Sequence, residues 1–261
     1  MVAVLIALSA GLGFDGHGSG PAWTVAWRDE FEGDAGTRPD PARWAYDLGA
    51  SGWGNAELQE YTDAASNAAL DGRGNLAIVA RYDGGRYTSA RLKTQDRYAQ
   101  RYGRIEARIR LPQGRGIWPA YWMLGADIDE VGWPMSGEID VMENVGHEPS
   151  VIHGSVHGPG SSGAYNLTAA RTLRQGAWHE GFHVFGAEWA PGSVAFSVDG
   201  AEYARFRPAD LPAGGQWVFD HPFFVLLNIA IGGNWPGDPD GSTRFPQTML
   251  VDYVRLYQRR K

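Results

Sequence analysis

An all-β fold, an antiparallel sandwich or barrel, is predicted on three grounds. Apolar residues recur with period two along several stretches. Convincing helical periodicity is scarce. Thirty-six glycines and fifteen prolines cut the 261-residue chain into many short segments. Single all-β domains often run to about 200–250 residues, and neither a repeat nor an internal linker interrupts this one.

The elements follow in chain order. "MVAVLIALSAGLG" is apolar over residues 2–12, long enough for a signal-peptide core and too short to span a bilayer. It lacks the usual basic start, and the Gly-rich "GFDGHGSGP" behind it reads as a tether. Residues 1–20 are therefore set apart from a single domain at 21–261. "PARWAYDL" is the one stretch with room for a turn or two of helix. "NLAIVARY" places Leu76, Ile78 and Ala80 on one strand face. "YGRIEARIRL" alternates cleanly, with Ile105, Ala107, Ile109 and Leu111 opposite Arg104, Glu106, Arg108 and Arg110. "SVAFSVDGAEYARF" sets Val194, Phe196 and Val198 on one face before Asp199-Gly200, a strong hairpin signal. "FFVLLNIAIGG" is almost wholly apolar and reads as a buried central strand, and "LVDYVRLYQ" closes the chain as another.

Composition excludes several functions. The net charge is -7, with no long basic run, which argues against nucleic acid as a partner. There is no cysteine, so disulfides, thiolate metal sites and a cysteine nucleophile are absent. No stretch beyond the N-terminus has the length and apolarity of a membrane helix. A monomer is the default expectation.

The chemistry concentrates in "GEIDVMEN", where Glu138, Asp140 and Glu143 fall within six residues. In a regular strand Glu138 and Asp140 share a face and Glu143 faces the other way. One extra residue, a β-bulge, restores Glu143 to the same side; the expected place is Val141-Met142, with Ile139 turned to the core. Two carboxyls about 5–5.5 Å apart are the retaining glycosidase arrangement. Asp140 would lie between them and share a proton with the nucleophile. The competing readings are a solvated acidic face or a cation site, although a flat strand face poorly supplies the 6–8 oxygens that Ca²⁺ takes.

Aromatic residues favour a sugar. Trp118, Tyr121 and Trp122 in "GRGIWPAYWMLG", and Trp133 before the acids, offer flat faces for sugar C–H groups. Trp27, Trp44, Trp178 and Trp189 read as core. Trp53 and Trp235 sit in Gly-rich loops where burial is less expected.

With these residues in view, the chain resembles glycoside hydrolase family 16, and within it the bacterial laminarinases, or endo-β-1,3-glucanases. The resemblance runs from about Trp27 to Gln258. It is carried by "WRDEFEG", "GWGNAELQEYT", "YTSARLKT", "YGRIEARIRLP", "GIWPAYWMLG", "WPMSGEIDVMENVG", "DHPFFVLLNIAIGGNWPG" and "VDYVRLYQ" in that order. It implies a β-jelly-roll sandwich of two antiparallel sheets with a concave substrate cleft. It implies Glu138 as nucleophile, Asp140 as its helper and Glu143 as general acid/base. The six-residue E-x-D-x-x-E form matches the laminarinase-like branch, whereas lichenases and xyloglucan transglycosylases carry a form one residue shorter. The same resemblance lines the cleft with Asn55, Arg91, Trp118, Trp122, Trp133, His157 and Trp235. Arg91 either binds sugar or pairs with an acid; His157 either lines the site or is a satisfied structural histidine; His147 and His153 are expected to be structural.

Many relatives bind one structural Ca²⁺ away from catalysis. The matching positions are the carbonyls of Glu30 and Gly74 and the side chain of Asp252, which reads equally as a plain surface acid. "DPDGS" at 238–242 reads as a turn. The implied protein is a secreted bacterial enzyme that hydrolyses internal bonds of a β-glucan with retention and needs no catalytic cofactor. The alternatives are another activity of the family (lichenase, agarase or transglycosylase) or a non-catalytic β-glucan-binding protein.

Overall fold

The computed structural model describes residues 23–260; the signal-like residues 1–20 lie outside them. The chain runs through β1 (Trp23–Asp29), β2 (Ala45–Asp47), β3 (Glu60–Tyr61), β4 (Ala68–Leu70), β5 (Leu76–Asp83), β6 (Arg86–Ser89), β7 (Arg91–Lys93), β8 (Gly103–Arg110) and β9 (Ile117–Gly125). A single-turn helix, α1 (Ile128–Val131), precedes β10 (Glu138–Glu143). Then come β11 (Val151–Gly160), β12 (Gly163–Thr172), β13 (His183–Ala190), β14 (Ser193–Val198), β15 (Ala201–Phe206), β16 (Phe223–Ile231) and β17 (Gln247–Arg259). Among the described residues no helix is long and apolar enough to cross a membrane.

Two sheets stack face to face. The outer sheet has ten strands along the path β15-β14-β13-β8-β17-β5-β6-β3, with β1 added to β17 and β4 to β5. The inner sheet has seven, ordered β12-β11-β10-β9-β16-β7-β2. Pairings are antiparallel except the two-residue contact of β3 with β6. Runs of consecutive strands, β13 to β15 and β9 to β12, are joined to sequence-distant neighbours such as β8 with β17 and β9 with β16; the strand pattern anticipated a sandwich or barrel, and the family resemblance the jelly-roll sandwich.

The period-two residues meet between the sheets. Leu76, Ile78 and Ala80, then Ile105, Ala107 and Ile109, and Phe185, Val194 and Phe196 face Tyr121, Met123, Ile139, Val225, Leu227 and Ile229, all fully or almost fully buried. β16 is buried along its whole length. Its core-facing residues alternate with Phe224 and Leu226, which join Leu124 in a second apolar cluster covered by Trp122 and Ile128. The Asp199-Gly200 turn joins β14 to β15 across the pair Val198 and Ala201. Both turn residues have positive φ, 51° and 77°, the type I′ geometry that matches strand twist.

"PARWAYDL" departs from the helical expectation. Residues 41–43 form a turn and Ala45–Asp47 form β2. Eight residues are too few to offset helix nucleation alone, and here the backbone finds partners on β7 while Trp44 drops into the core. Trp44, Trp178 and Trp189 are buried as expected; Trp27 is only half-buried, against Trp44 and Tyr98. "DPDGS" is a turn in which Asp240 accepts from the Ser242 amide and hydroxyl.

Candidate active site

The acids converge because β10 is irregular. Gly137, at φ 70°, turns the chain into the strand; a side chain there would meet Val218 Cγ2 at 2.9 Å. Against β9, Asp140 pairs with Trp122 and Met142 with the next residue, Tyr121, so one residue is extra. Against β11, three steps from Asp140 to Glu143 oppose two from Ser155 to His153. This is the bulge expected at Val141-Met142. It sends Ile139, Val141 and Met142 into the core and leaves Glu138, Asp140 and Glu143 lining one cleft of about 900 Å³.

These carboxyls are poorly hydrated. Asp140 is 3% exposed and Glu143 9%. Glu138 Oε2 accepts from Trp133 Nε1 at 2.9 Å, and Glu143 Oε1 accepts from Trp118 Nε1 at 3.0 Å. His157 Nε2 lies 3.0 Å from Asp140 Oδ2 and 3.9 Å from Glu138 Oε1, close contacts without aligned hydrogen-bond geometry. Burial, and then the Asp140 charge, push Glu138 up to about 8. Burial pushes Asp140 up to about 7, opposed by its hydrogen bond with Glu138. Burial, reinforced by Asp140 and Glu138, holds Glu143 well above the usual carboxylate range. The trio titrates as a unit and retains protons near neutrality. The donor atoms of Glu138, Asp140 and His157 lie within 4.8 Å of one another, close enough to share a cation.

All seven predicted sugar-contacting residues line the same cleft. Arg91 pairs with an acid, Asp47, at 2.9 Å, and it also lies in the cleft wall between the Trp53 ring at 4.9 Å and the Trp122 ring at 4.6 Å. Trp133 and Trp235 stand on the rim, 52% and 39% exposed. Trp235 packs edge-on against Trp118 and His153. Two expectations fail here. Tyr121 has the opposite strand parity to Trp118 and Trp122 and is fully buried in the core. His153 is a cleft residue, not a purely structural one, because the bulge sets it opposite Glu143. His147 is exposed outside the cleft.

Sequence reasoning missed Glu57, Asn228, Ser155, Asn166 and Thr168, which also line the cleft. Asn228 left a usable signal, as the single polar residue in the apolar β16. Glu57 left a weaker one, an acid in an otherwise uncharged loop.

The residues matched to a calcium site come together by strand register. β5 pairs with β17 up to Val251, β1 takes over from Val254, and a bulge against β8 falls between Val251 and Tyr253. Asp252 sits at that hand-over, next to the ends of β1 and β5 that precede Glu30 and follow Gly74. The Glu30 carboxylate is engaged by Arg255 at 2.9 and 2.7 Å. Asp252 Oδ2 accepts from Arg108 Nη1 at 2.6 Å, so one carboxylate oxygen remains.

Paired buried glutamates in an aromatic-walled trough place the molecule among the glycoside hydrolases. Residues 55–255 match Glycosyl hydrolases family 16, and the chain belongs to that family. It is 44% identical over 272 residues to a beta-glucanase of Rhodothermus marinus, covering 99% of this chain and 93% of that one. The endo-beta-1,3-glucanase structure from Pyrococcus furiosus superposes with a TM-score of 0.85 at 45% identity, covering 93% of this chain and 97% of that one. The laminarinase catalytic domain from Thermotoga maritima MSB8 gives 0.82 at 42%, covering 92% and 99%.

Proposed function

We propose that the protein is a retaining endo-β-1,3-glucanase of the laminarinase type. The carrying observation is the bulged β10, which sets two glutamates and an aspartate on the floor of a trough. The trough is lined from Asn166 and Thr168 on β12 to Arg91 on β7. Six strands at about 4.8 Å spacing make it roughly 24 Å long, room for several sugars on both sides of the cut. That length suits internal cleavage.

The roles follow from the environments. Glu143 keeps its proton best, as a general acid must at neutral pH. Glu138 has His157 and the Trp133 N–H beside it, both favouring its anion. Glu138 attacks the anomeric carbon while Glu143 gives its proton to the departing glycosidic oxygen. The resulting glycosyl ester is then opened by water, whose proton passes to Glu143, and Glu138 is released. Asp140 shares a proton with Glu138, which keeps the trio from carrying three charges, and Glu138 attacks when that proton rests on Asp140.

The β-1,3 preference is supported by the relatives named above. A trough that places Trp118, Trp122 and Trp133 near the acids offers the ring faces that a curved β-1,3 chain can stack on in turn, whereas a flat cellulose ribbon presents a straight face. Initial rates on laminarin, lichenan, agarose and carboxymethylcellulose test it, with NMR of the first anomer released. Laminarin should be fastest and the β-anomer first; agarose ahead of laminarin, or an α-anomer first, would overturn the proposal.

Two further parts belong to the same proposal. A structural Ca²⁺ held by the Glu30 and Gly74 carbonyls and Asp252 is supported by the register at that corner. Export is supported by the apolar run at 2–12 and by a substrate too large to enter a cell.

A further inference from the structure

We infer that Glu57 is the positioning residue that sets the hydrogen-bond polarity of the glucan site around Asn55 and Trp122. The inference rests on the glucanase reading and concerns how one end of that trough is built.

A chain of side-chain donors runs toward Glu57. Trp122 Nε1 donates to Asn228 Oδ1 at 2.7 Å. Asn228 Nδ2 donates to the Tyr61 hydroxyl at 3.0 Å, and that hydroxyl to Glu57 Oε2 at 3.3 Å. Gln59 Nε2 donates to the same oxygen at 2.6 Å, while Gln59 Oε1 takes the Ile231 amide at 2.7 Å. Asn55 Nδ2 donates to Glu57 Oε1 at 3.2 Å and lies 3.5 Å from the Trp53 carbonyl. Burial pushes the Glu57 pKa up, while the bonds from Gln59 and Asn55, then the Arg91 charge, favour its anion.

None of these groups is free to turn round. An indole N–H and a backbone N–H only donate, so they pin the Asn228 and Gln59 amides with oxygens away from Glu57. The chain must therefore end on an acceptor, and an ionised carboxylate, which only accepts, is suited to end it. Both partners of the Asn55 amide nitrogen lie within the protein, so Asn55 Oδ1 is the atom left for the cleft. The wall then offers a sugar hydroxyl an acceptor at Asn55, beside the Arg91 guanidinium held between Trp53 and Trp122.

Glutamine at position 57 keeps the volume but changes the polarity. Its carbonyl must serve Gln59 and Tyr61, which places its NH₂ against Asn55 Nδ2. Two donors then face each other, and the Asn55 amide must flip, offering NH₂ to the cleft. Exchanging the acid and the amide between the two positions mends this. In the Asn55→Asp, Glu57→Gln double variant the new carboxylate accepts from the new amide. It again offers oxygen to the cleft, and the net charge is unchanged.

The test is a double-mutant cycle on the polysaccharide that the wild type cleaves fastest, with folding checked by melting. Glu57→Gln should raise KM about tenfold, the equivalent of one lost hydrogen bond, with kcat changed less than threefold. Asn55→Asp alone, with two carboxylates 3.2 Å apart in the unchanged geometry, should be at least as poor. The double variant should return KM to within about threefold of wild type. A Glu57→Gln enzyme with wild-type KM, or a double variant no better than the poorer single, would overturn the inference. If Glu57→Gln does not fold, Asn55→Ala decides, since it should reproduce the KM rise and an unchanged KM would refute it. A wild type inactive on every β-glucan would instead sink the glucanase reading.

Discussion

Glu138, Asp140 and Glu143 carry opposing demands of stability and chemistry. Each has a raised pKa, with burial as the largest cause. The folded chain therefore holds protons that the unfolded chain has already released above about pH 4–4.5. Stability contributed by these groups is present below that range and falls as pH rises toward about 7–8, by up to about 1.4 kcal/mol per pH unit for each retained proton. Glu138→Gln removes one such group. Its melting temperature should converge with wild type near pH 4 and exceed it by several degrees at pH 8, while activity falls by at least a hundredfold. A gap that does not grow with pH would contradict the linkage. Trp118 acts on the partner glutamate: its N–H stabilises the Glu143 anion. Trp118→Phe should move the basic limb of the pH–rate profile upward and lower kcat, since the ring remains but the hydrogen bond is lost. A limb that moves downward would show that Trp118 does not tune the acid.

Among the strands, β10 matters most, because its bulge determines which face Glu143 reaches. Deleting Val141 would make E-x-D-x-E, a regular strand in which all three acids again share a face. The deletion removes a fully buried valine and should cost about 1–3 kcal/mol. It should nevertheless leave at least ten times the kcat of Glu143→Gln, because parity is preserved. Deletion as damaging as Glu143→Gln would mean that the bulge does more than restore parity. The parity argument was open to inspection in the sequence, as were the alternating strands and the Asp199-Gly200 turn, because each depends on neighbours within a few residues. β2 was not. Its eight-residue window carried no decisive period, and only pairing with β7, far along the chain, made it a strand.

Across the molecule as a unit, β17 is the seam of the outer sheet, paired to β8 on one side and to β5 and then β1 on the other. A Ca²⁺ ion at Asp252 would tie that seam without touching the cleft. Bound to the native state alone at 100 times Kd, it adds about 2.7 kcal/mol, roughly 5–10 °C for a domain of this size. Chelator should lower the melting temperature by such an amount, kcat at 25 °C should be unchanged, and Asp252→Ala should abolish the response. Equal melting curves with chelator and with Ca²⁺ would remove the ion from the account. The sandwich, the acidic strand with its extra residue and the aromatic residues available to a sugar are all legible along the unfolded chain, since period, turn chemistry and local charge density are properties of short stretches. Folding was needed to turn His153 to the cleft and to make Glu57 collect the donors of Asn55, Gln59 and Tyr61. Those outcomes depend on strand register and on side chains from β16, β9 and the 53–61 segment meeting in space, and no local pattern along the chain encodes such a meeting.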